Sequence, residues 1–377
     1  MLRCWSNDEH FSTPFALGVE IMLKYAMQLQ EVLEKAAKIG DLNREEIACL
    51  LSLEAENDIN ALFKVADDIR REQVGDEVHV RGLIEFSNIC ARSCLYCGLR
   101  SENSSVHRYR MPIEEIIDTA LKVAGLGIGT IVLQSGEDPW FTADRISEIV
   151  RGIKSRANVA ITLSIGEREC DEYRIMKEAG ADRFLIRHET ATPDLYHALH
   201  PGSSFERRVE CLHMLRELDY QIGCGCMVGL PGQGIENLVD DIMFIKELQP
   251  DMVGIGPFIP HPDTPLHDSP IGDLTLTLKM VALARIVTRN ALIPATTAVG
   301  SIDELGREKA LQVGANVMMP NYTPMKYRVD YEIYPNKRCI NEDPMLCHGC
   351  MKMRIESIGR KVAQGPGHSY KREGVRR

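Results

Sequence analysis

The sequence predicts an α/β chain built on a (β/α)8 TIM barrel, with helices before the barrel and a cysteine-containing extension after it. From Val78 onward, short strand-like runs alternate with amphipathic runs of helical period. Eight such strands fall within about 240 residues, the size of one complete barrel. The residue types that do chemistry also gather just after the strands, where a barrel places its site. A doubly wound open sheet shares this periodicity and is the alternative.

Residues 1–26 carry no motif and read as an extension or an extra helix. Residues 27–78 form a helical segment, with apolar residues at helical spacing from Met27 to Lys35 and from Arg44 to Arg71. Asn43 stands three residues before Glu46 and suits a helix cap. Such helices plug the bottom of a barrel or pack outside it. The barrel itself is expected over 79–325, with strands at 79–86, 129–134, 159–164, 182–187, 221–227, 252–256, 293–297 and 315–319. Helices are expected near 113–125, 142–155, 170–179, 204–218, 235–248, 274–289 and 303–312. Gly125, Gly127, Gly180 and Gly314 mark helix ends. Residues 326–377 lose the alternation and form a C-terminal segment with a basic tail.

Composition excludes several classes. The chain of 377 residues is 44% hydrophobic, enough for a large core, and carries a formal net charge of -10. That acidic balance argues against nucleic acid as a partner. No apolar run of about 18 residues spans a membrane, and the N-terminus lacks the layout of a secretion signal. Twelve cysteines without such a signal point to metal and thiol chemistry in a reducing compartment, hence the cytoplasm.

The strongest motif is Cys90-Ala-Arg-Ser-Cys94-Leu-Tyr-Cys97, directly after the first strand. Three thiolates this close form no sensible disulfide set, but they hold three irons of a 4Fe–4S cluster. An ordinary cluster takes four cysteines; here the fourth iron stays open to a ligand, as in catalytic metal sites. The bland reading is three buried apolar cysteines. It fits poorly beside Arg92, Ser93 and Gly98.

The strand ends supply the rest. After the second strand, Gln134-Ser135-Gly136-Glu137 has a glycine for close approach and carbonyls to receive an ammonium group. Thr162 lies on the third strand, and the fourth ends in Arg187-His188-Glu189-Thr190. A carboxylate there suits a ribose diol, because it accepts from two hydroxyls. Arg208 opens the next helix and can pair with a carboxylate; an interlayer salt bridge is its ordinary fate. The backbone beside Ile255 can line an adenine pocket, and His261 reads as loop packing. The paired hydroxyls of Thr296 and Thr297, with Gln134, Ser135, Met319 and Tyr331, form a lining with few fixed charges. It suits a small anionic complex held by hydrogen bonds.

These residues resemble the radical S-adenosylmethionine (SAM) enzymes, and within them the HydE-type FeFe-hydrogenase maturases. The resemblance runs from about residue 27 to about 360. It is most specific in Ile84-Glu-Phe-Ser-Asn88, Cys94–Arg100, Arg108-Tyr-Arg-Met111, Thr130–Asp138, Arg187–Thr190, Met227–Gln233 and Met252–Pro265. It implies a radical-SAM barrel with SAM on the open iron and Tyr96 shielding cluster and adenine. SAM would be held by Ser135, Gly136, Glu137, Thr162, Arg187, Glu189, Arg208 and Ile255, above a substrate pocket. It further implies that Cys339, Cys347 and Cys350 can hold a second iron–sulfur cluster. The implied activity is cleavage of SAM to a 5′-deoxyadenosyl radical during assembly of the H-cluster diiron subsite. Reduced ferredoxin or flavodoxin would be the electron donor, other hydrogenase maturases the partners, and a small organometallic molecule the substrate. The alternatives are a radical-SAM enzyme acting on a small amino acid, methylornithine synthase-like or biotin synthase-like, or a non-catalytic iron–sulfur carrier.

Overall fold

The computed structural model describes residues 14–338 and 344–371, without the side chains of 14–25 and 344–348. Three helices come first: α1 Pro14–Lys38, α2 Arg44–Leu51 and α3 Glu56–Val74. Asn43 caps α2, in agreement with the sequence. Its side chain accepts from the Glu46 N–H at 2.9 Å, and Glu46 accepts in return from the Asn43 N–H at 2.7 Å. The helical run expected over 44–71 is broken by the turn at 52–55, where Ser52 closes α2.

Next come β1 Glu77–Val80 and β2 Gly82–Ser87, one bent strand in place of a single straight one. The barrel continues through α4 Ile113–Gly125, β3 Thr130–Ser135, α5 Ala143–Lys154, β4 Ala160–Ser164, α6 Cys170–Glu178 and β5 Arg183–Leu185. Then follow α7 Pro193–Leu199, α8 Phe205–Glu217, β6 Gln221–Cys224, β7 Met227–Val228, α9 Ile235–Leu248, β8 Met252–Val253, β9 Gly256–Pro257 and α10 Leu274–Thr288. The chain finishes with α11 Thr297–Ile302, α12 Gly306–Gln312, β10 Val317–Met318, α13 Met325–Arg328, α14 Pro344–Ser357 and β11 Lys361–Val362.

Strands β2, β3, β4, β5, β6 and β8 form one parallel sheet in that order. Isolated parallel bridges carry it round: Met252 to Leu292, Pro294 to Val317, and Asn321 back to Leu83. The ladder therefore closes on itself. The seventh strand is the correction to the expected pattern. Only the bridges at Leu292 and Pro294 represent it, and Thr297 already begins α11. Between β6 and β7, Gly225 has φ +157, and a Cβ there would lie 2.0 Å from the Gly254 carbonyl oxygen. Only glycine lets the two strands meet at that bend.

The N-terminal helices pack outside the barrel, against α9 and α10. This explains why α10 is buried on every side: Thr277 through Thr288, Lys279 and Arg285 included, are all buried between barrel and helices. The bottom is plugged from the other end of the chain. Arg183 donates to the Pro366 and Gly367 carbonyls at 2.7 and 2.9 Å, and Thr130 Oγ1 donates to Pro366 at 2.7 Å. No helix among the described residues is long and apolar enough to cross a membrane.

Candidate active site

The chain leaves β2 at the C-terminal end of the barrel and enters the cysteine loop. Several elements pin that loop. Ala91 N–H donates to the Glu137 carbonyl at 2.9 Å, Leu95 N–H to Leu199 at 3.0 Å, and Gly98 N–H to Ile333 at 3.1 Å. The Arg108 guanidinium donates to the carbonyls of Asn88, Leu99, Arg100 and Asn103, at 2.7 to 3.0 Å. Arg110 makes a forked pair with the fully buried Asp138 at 2.8 and 2.9 Å. Burial opposes that charge, but bonds from Arg110 and Ser87 outweigh it and hold the Asp138 carboxyl below its ordinary range. Gly136 passes close behind: a Cβ there would lie 2.3 Å from the Ile89 oxygen and 2.8 Å from Cys90 Cβ.

Cys90, Cys94 and Cys97 are free and half-buried. Burial first, then charge on neighbouring thiols, pushes the Cys94 thiol up to about 12 and Cys97 in the same direction. Three thiolates in mutual repulsion need positive charge between them, which iron supplies. The donor set fits a 4Fe–4S cluster with one iron open.

Tyr96 sits beside the cysteines with its ring fixed. His200 Nδ1 is 2.7 Å from the Tyr196 carbonyl and so donates, which leaves Nε2 to accept from the Tyr96 hydroxyl at 2.7 Å. Burial lowers His200 to about 4, so this ring is neutral.

The strand-end residues form a chain of charges. Glu137 pairs with Arg92; Arg92 reaches Glu167 at 3.0 Å; Glu167 holds Arg208 Nε at 2.7 Å. Arg208 Nη1 donates to the Arg187 carbonyl at 2.9 Å, so two of its nitrogens are committed to orienting it. Ser135 Oγ donates to the Gly136 carbonyl at 2.7 Å. Arg187 Nη2 donates to the Cys226 carbonyl at 2.8 Å. It also lies 3.0 Å from Glu189 Oε2, but off the line of a hydrogen bond, so that buried oxygen keeps its accepting capacity. Glu189 has φ +64, unusual for a residue with a Cβ. An unsatisfied buried carboxylate oxygen fits a ribose diol. The Ile255 carbonyl accepts from Thr296 Oγ1 at 3.2 Å.

Not every expected residue reaches this layer. Thr162 and Met319 lie deeper, around an interior cavity of about 20 Å³ shared with Val132, Leu185 and Met252. That volume holds about one water, so it is no substrate pocket. Gln134 does meet Tyr331, at 3.3 Å. Thr297 starts α11, and His261 is buried in its loop, accepting from Asp263 N–H at 3.1 Å. The expectation of few fixed charges is corrected: Glu85 and Lys337 form a buried ion pair beside Tyr331. Sequence reasoning also missed Arg92 and Glu167, although Glu167 follows a strand end like the rest. Cys339 and the Cys347 side chain lie outside the described residues. Cys350 lies on α14 as a free cysteine.

Residues 84–245 match the family model of the Radical SAM superfamily. With the three-cysteine loop at the mouth of the barrel, this defines a radical SAM enzyme. The HydE subunit of the FeFe-hydrogenase maturase from Thermotoga maritima is 54% identical over 90% of this chain and 96% of that protein. The chain belongs to the HydE family. A 3-methylornithine synthase of Methanosarcina acetivorans is 32% identical over 76% of this chain and 81% of its own length. The crystal structure of a methylornithine synthase superposes with TM-score 0.75 at 25% identity, covering 88% of this chain and 97% of that one.

Proposed function

We propose that this chain matures FeFe-hydrogenase, cleaving SAM and acting on a small precursor of the H-cluster diiron subsite. The observation that carries the reading is the convergence of three free cysteines with the unsatisfied buried Glu189 oxygen and the oriented Arg208 at one end of a parallel barrel. When bound, the cluster and SAM supply one electron and the 5′-deoxyadenosyl radical. The protein's part is to hold and orient. Cys90, Cys94 and Cys97 would ligate three irons, and Tyr96 would cover them. Carbonyls around Ser135 and Gly136 would receive the SAM ammonium, and Arg208 its carboxylate. Glu189 would receive the ribose hydroxyls, and the backbone at Ile255 would line the adenine. Gln134, Tyr331 and Thr296 would face the substrate below.

The remaining assignments are of the same kind. Residues 27–78 are an outer helical layer, 79–325 the catalytic barrel, and 326–377 a segment that supplies Tyr331, Lys337 and the bottom plug. Cys339, Cys347 and Cys350 are proposed to hold an accessory iron–sulfur cluster. A reduced ferredoxin or flavodoxin in the cytoplasm is the proposed donor, and the other maturases are the proposed partners. Identity favours the maturase over methylornithine synthesis, at 54% against 32%. Complementation of a host lacking its HydE maturase tests the reading. Restored hydrogenase activity supports it, and failure by protein active in SAM cleavage redirects it to another small substrate.

A further inference from the structure

Behind Glu189 lies a fully buried trio, His188, Cys226 and Asp241, whose ligand-type atoms fall within 4.8 Å of one another. The grouping looks like a metal site, but its hydrogen bonds argue otherwise. His188 Nδ1 lies 3.3 Å from the Gly225 backbone N–H. An amide can only donate, so Nδ1 accepts and the ring proton sits on Nε2. That atom faces Asp241 Oδ1 at 3.3 Å, a contact somewhat long and off-line for a full hydrogen bond. A protonated Nε2 offers no lone pair to a metal. Cys226 is a buried thiol pushed up by burial, and it serves the site through its carbonyl, on Arg187.

The trio is instead part of a fastening. Asp241 Oδ1 accepts from the Ala191 N–H at 2.6 Å. Asp240 accepts from Thr192 Oγ1 at 2.8 Å, and Asn237 Nδ2 donates to the same hydroxyl at 3.1 Å. The His188 ring rests on Phe244, with centroids 4.6 Å apart. Asn237, Asp240, Asp241 and Phe244 all belong to α9, so one rigid helix grips residues on both sides of Glu189. Glu189 itself is tied to the neighbouring strand, N–H to Gly225 at 3.0 Å and carbonyl from Met227 at 2.9 Å. A left-handed residue with a Cβ is strained and persists only where its surroundings over-determine it. Here the surroundings do.

We propose that His188 and Asp241 are positioning residues: they lock Glu189 in its left-handed conformation and so aim its carboxylate at SAM. The proposal rests on the reading of Glu189 as a SAM contact. The job is orientation through an acceptor oxygen, so charge on Asp241 is dispensable while the oxygen is not.

The test uses cluster-loaded protein and follows SAM cleavage, separating the KM for SAM from the maximal turnover rate. The melting temperature and iron content of each variant are measured alongside. Asp241→Leu should raise KM about tenfold with a smaller change in turnover, the usual scale for losing a supporting contact. Asp241→Asn, which keeps the oxygen, should recover most of that loss. Adding Glu189→Gln to Asp241→Leu should cost little beyond Glu189→Gln alone, because both remove one function. If Asp241→Leu fails to fold, His188→Leu gives the same readout, since it removes the acceptor for Gly225 and the contact to Asp241. Additive effects, or an unchanged KM, would overturn the clamp. So would one equivalent of zinc held by cluster-free protein and lost in Cys226→Ala. If Glu189→Gln alone leaves KM unchanged, the reading of Glu189 fails and the clamp fails with it.

Discussion

Glu85 on β2 and Lys337 on the segment after the barrel form an ion pair from which solvent is almost excluded, with side chains 1% and 4% exposed. Asn321 Nδ2 occupies the second Glu85 oxygen at 2.7 Å, and the Lys337 ammonium lies 5.0 Å over the Tyr331 ring. The pair joins the C-terminal segment to the strand that feeds the cysteine loop. Removing one partner strands a buried charge, so Lys337→Met should lower stability by about 3–5 kcal/mol. Adding Glu85→Gln, which keeps the acceptor for Asn321, should return a large part of it. Urea unfolding of the single and double variants checks this. A double variant no more stable than Lys337→Met would show that the pair is not the cause.

At the bottom of the barrel, His79 is buried, and burial together with Arg81 and Arg183 lowers it from 6.5 to about 4. The folded chain therefore binds fewer protons at this ring than the unfolded chain. Its contribution to stability is complete above about pH 6.5 and fades as pH falls toward 4. Between pH 7 and 5 the loss should be about 2 kcal/mol for this one group. His79→Gln, compared with the parent in urea at both pH values, should lose less stability on acidification. Equal losses would contradict the burial argument.

Most of the barrel is legible in the sequence because buried parallel strands and amphipathic helices carry two distinct periods. The short helices α7 and α11 are not, since seven and six residues show too little of a helical period. For that reason Thr297 reads as a strand end and is in fact the start of a helix. The cysteine loop is legible because its spacing has one sensible chemistry. Glu85 and Lys337 are not: they lie 252 positions apart, and a lysine in a turn-like stretch reads as solvated. Thr162 reads as a site residue because alternation along a strand says which side faces inward, but not how deep. No sequence pattern announces a left-handed glutamate, so His188 and Asp241 appear only in the fold.

The sequence suggests a substrate contact at Thr296 and Thr297, which are the cap and the first residue of α11. Thr296→Val with Thr297→Val removes two hydroxyls and little volume. The pair should block hydrogenase maturation while sparing slow, uncoupled SAM cleavage. Restored hydrogenase activity in a maturase-deficient host carrying the double variant would show that these hydroxyls do not hold the substrate.

Replacing Cys339, Cys347 and Cys350 with serine should lower bound iron but leave SAM cleavage largely intact, because Cys350 sits on α14 and not in the loop after β2. Loss of cleavage with the first cluster fully occupied would contradict an accessory role.

The central claim rests on Cys90, Cys94 and Cys97, and formation of 5′-deoxyadenosine tests it most directly. Reconstituted protein with SAM and a strong reductant should form this product. Cys90→Ala, Cys94→Ala and Cys97→Ala should each abolish it, with the barrel still folded by circular dichroism. Undiminished product from any one of the three would contradict the assignment of the open cluster to this loop.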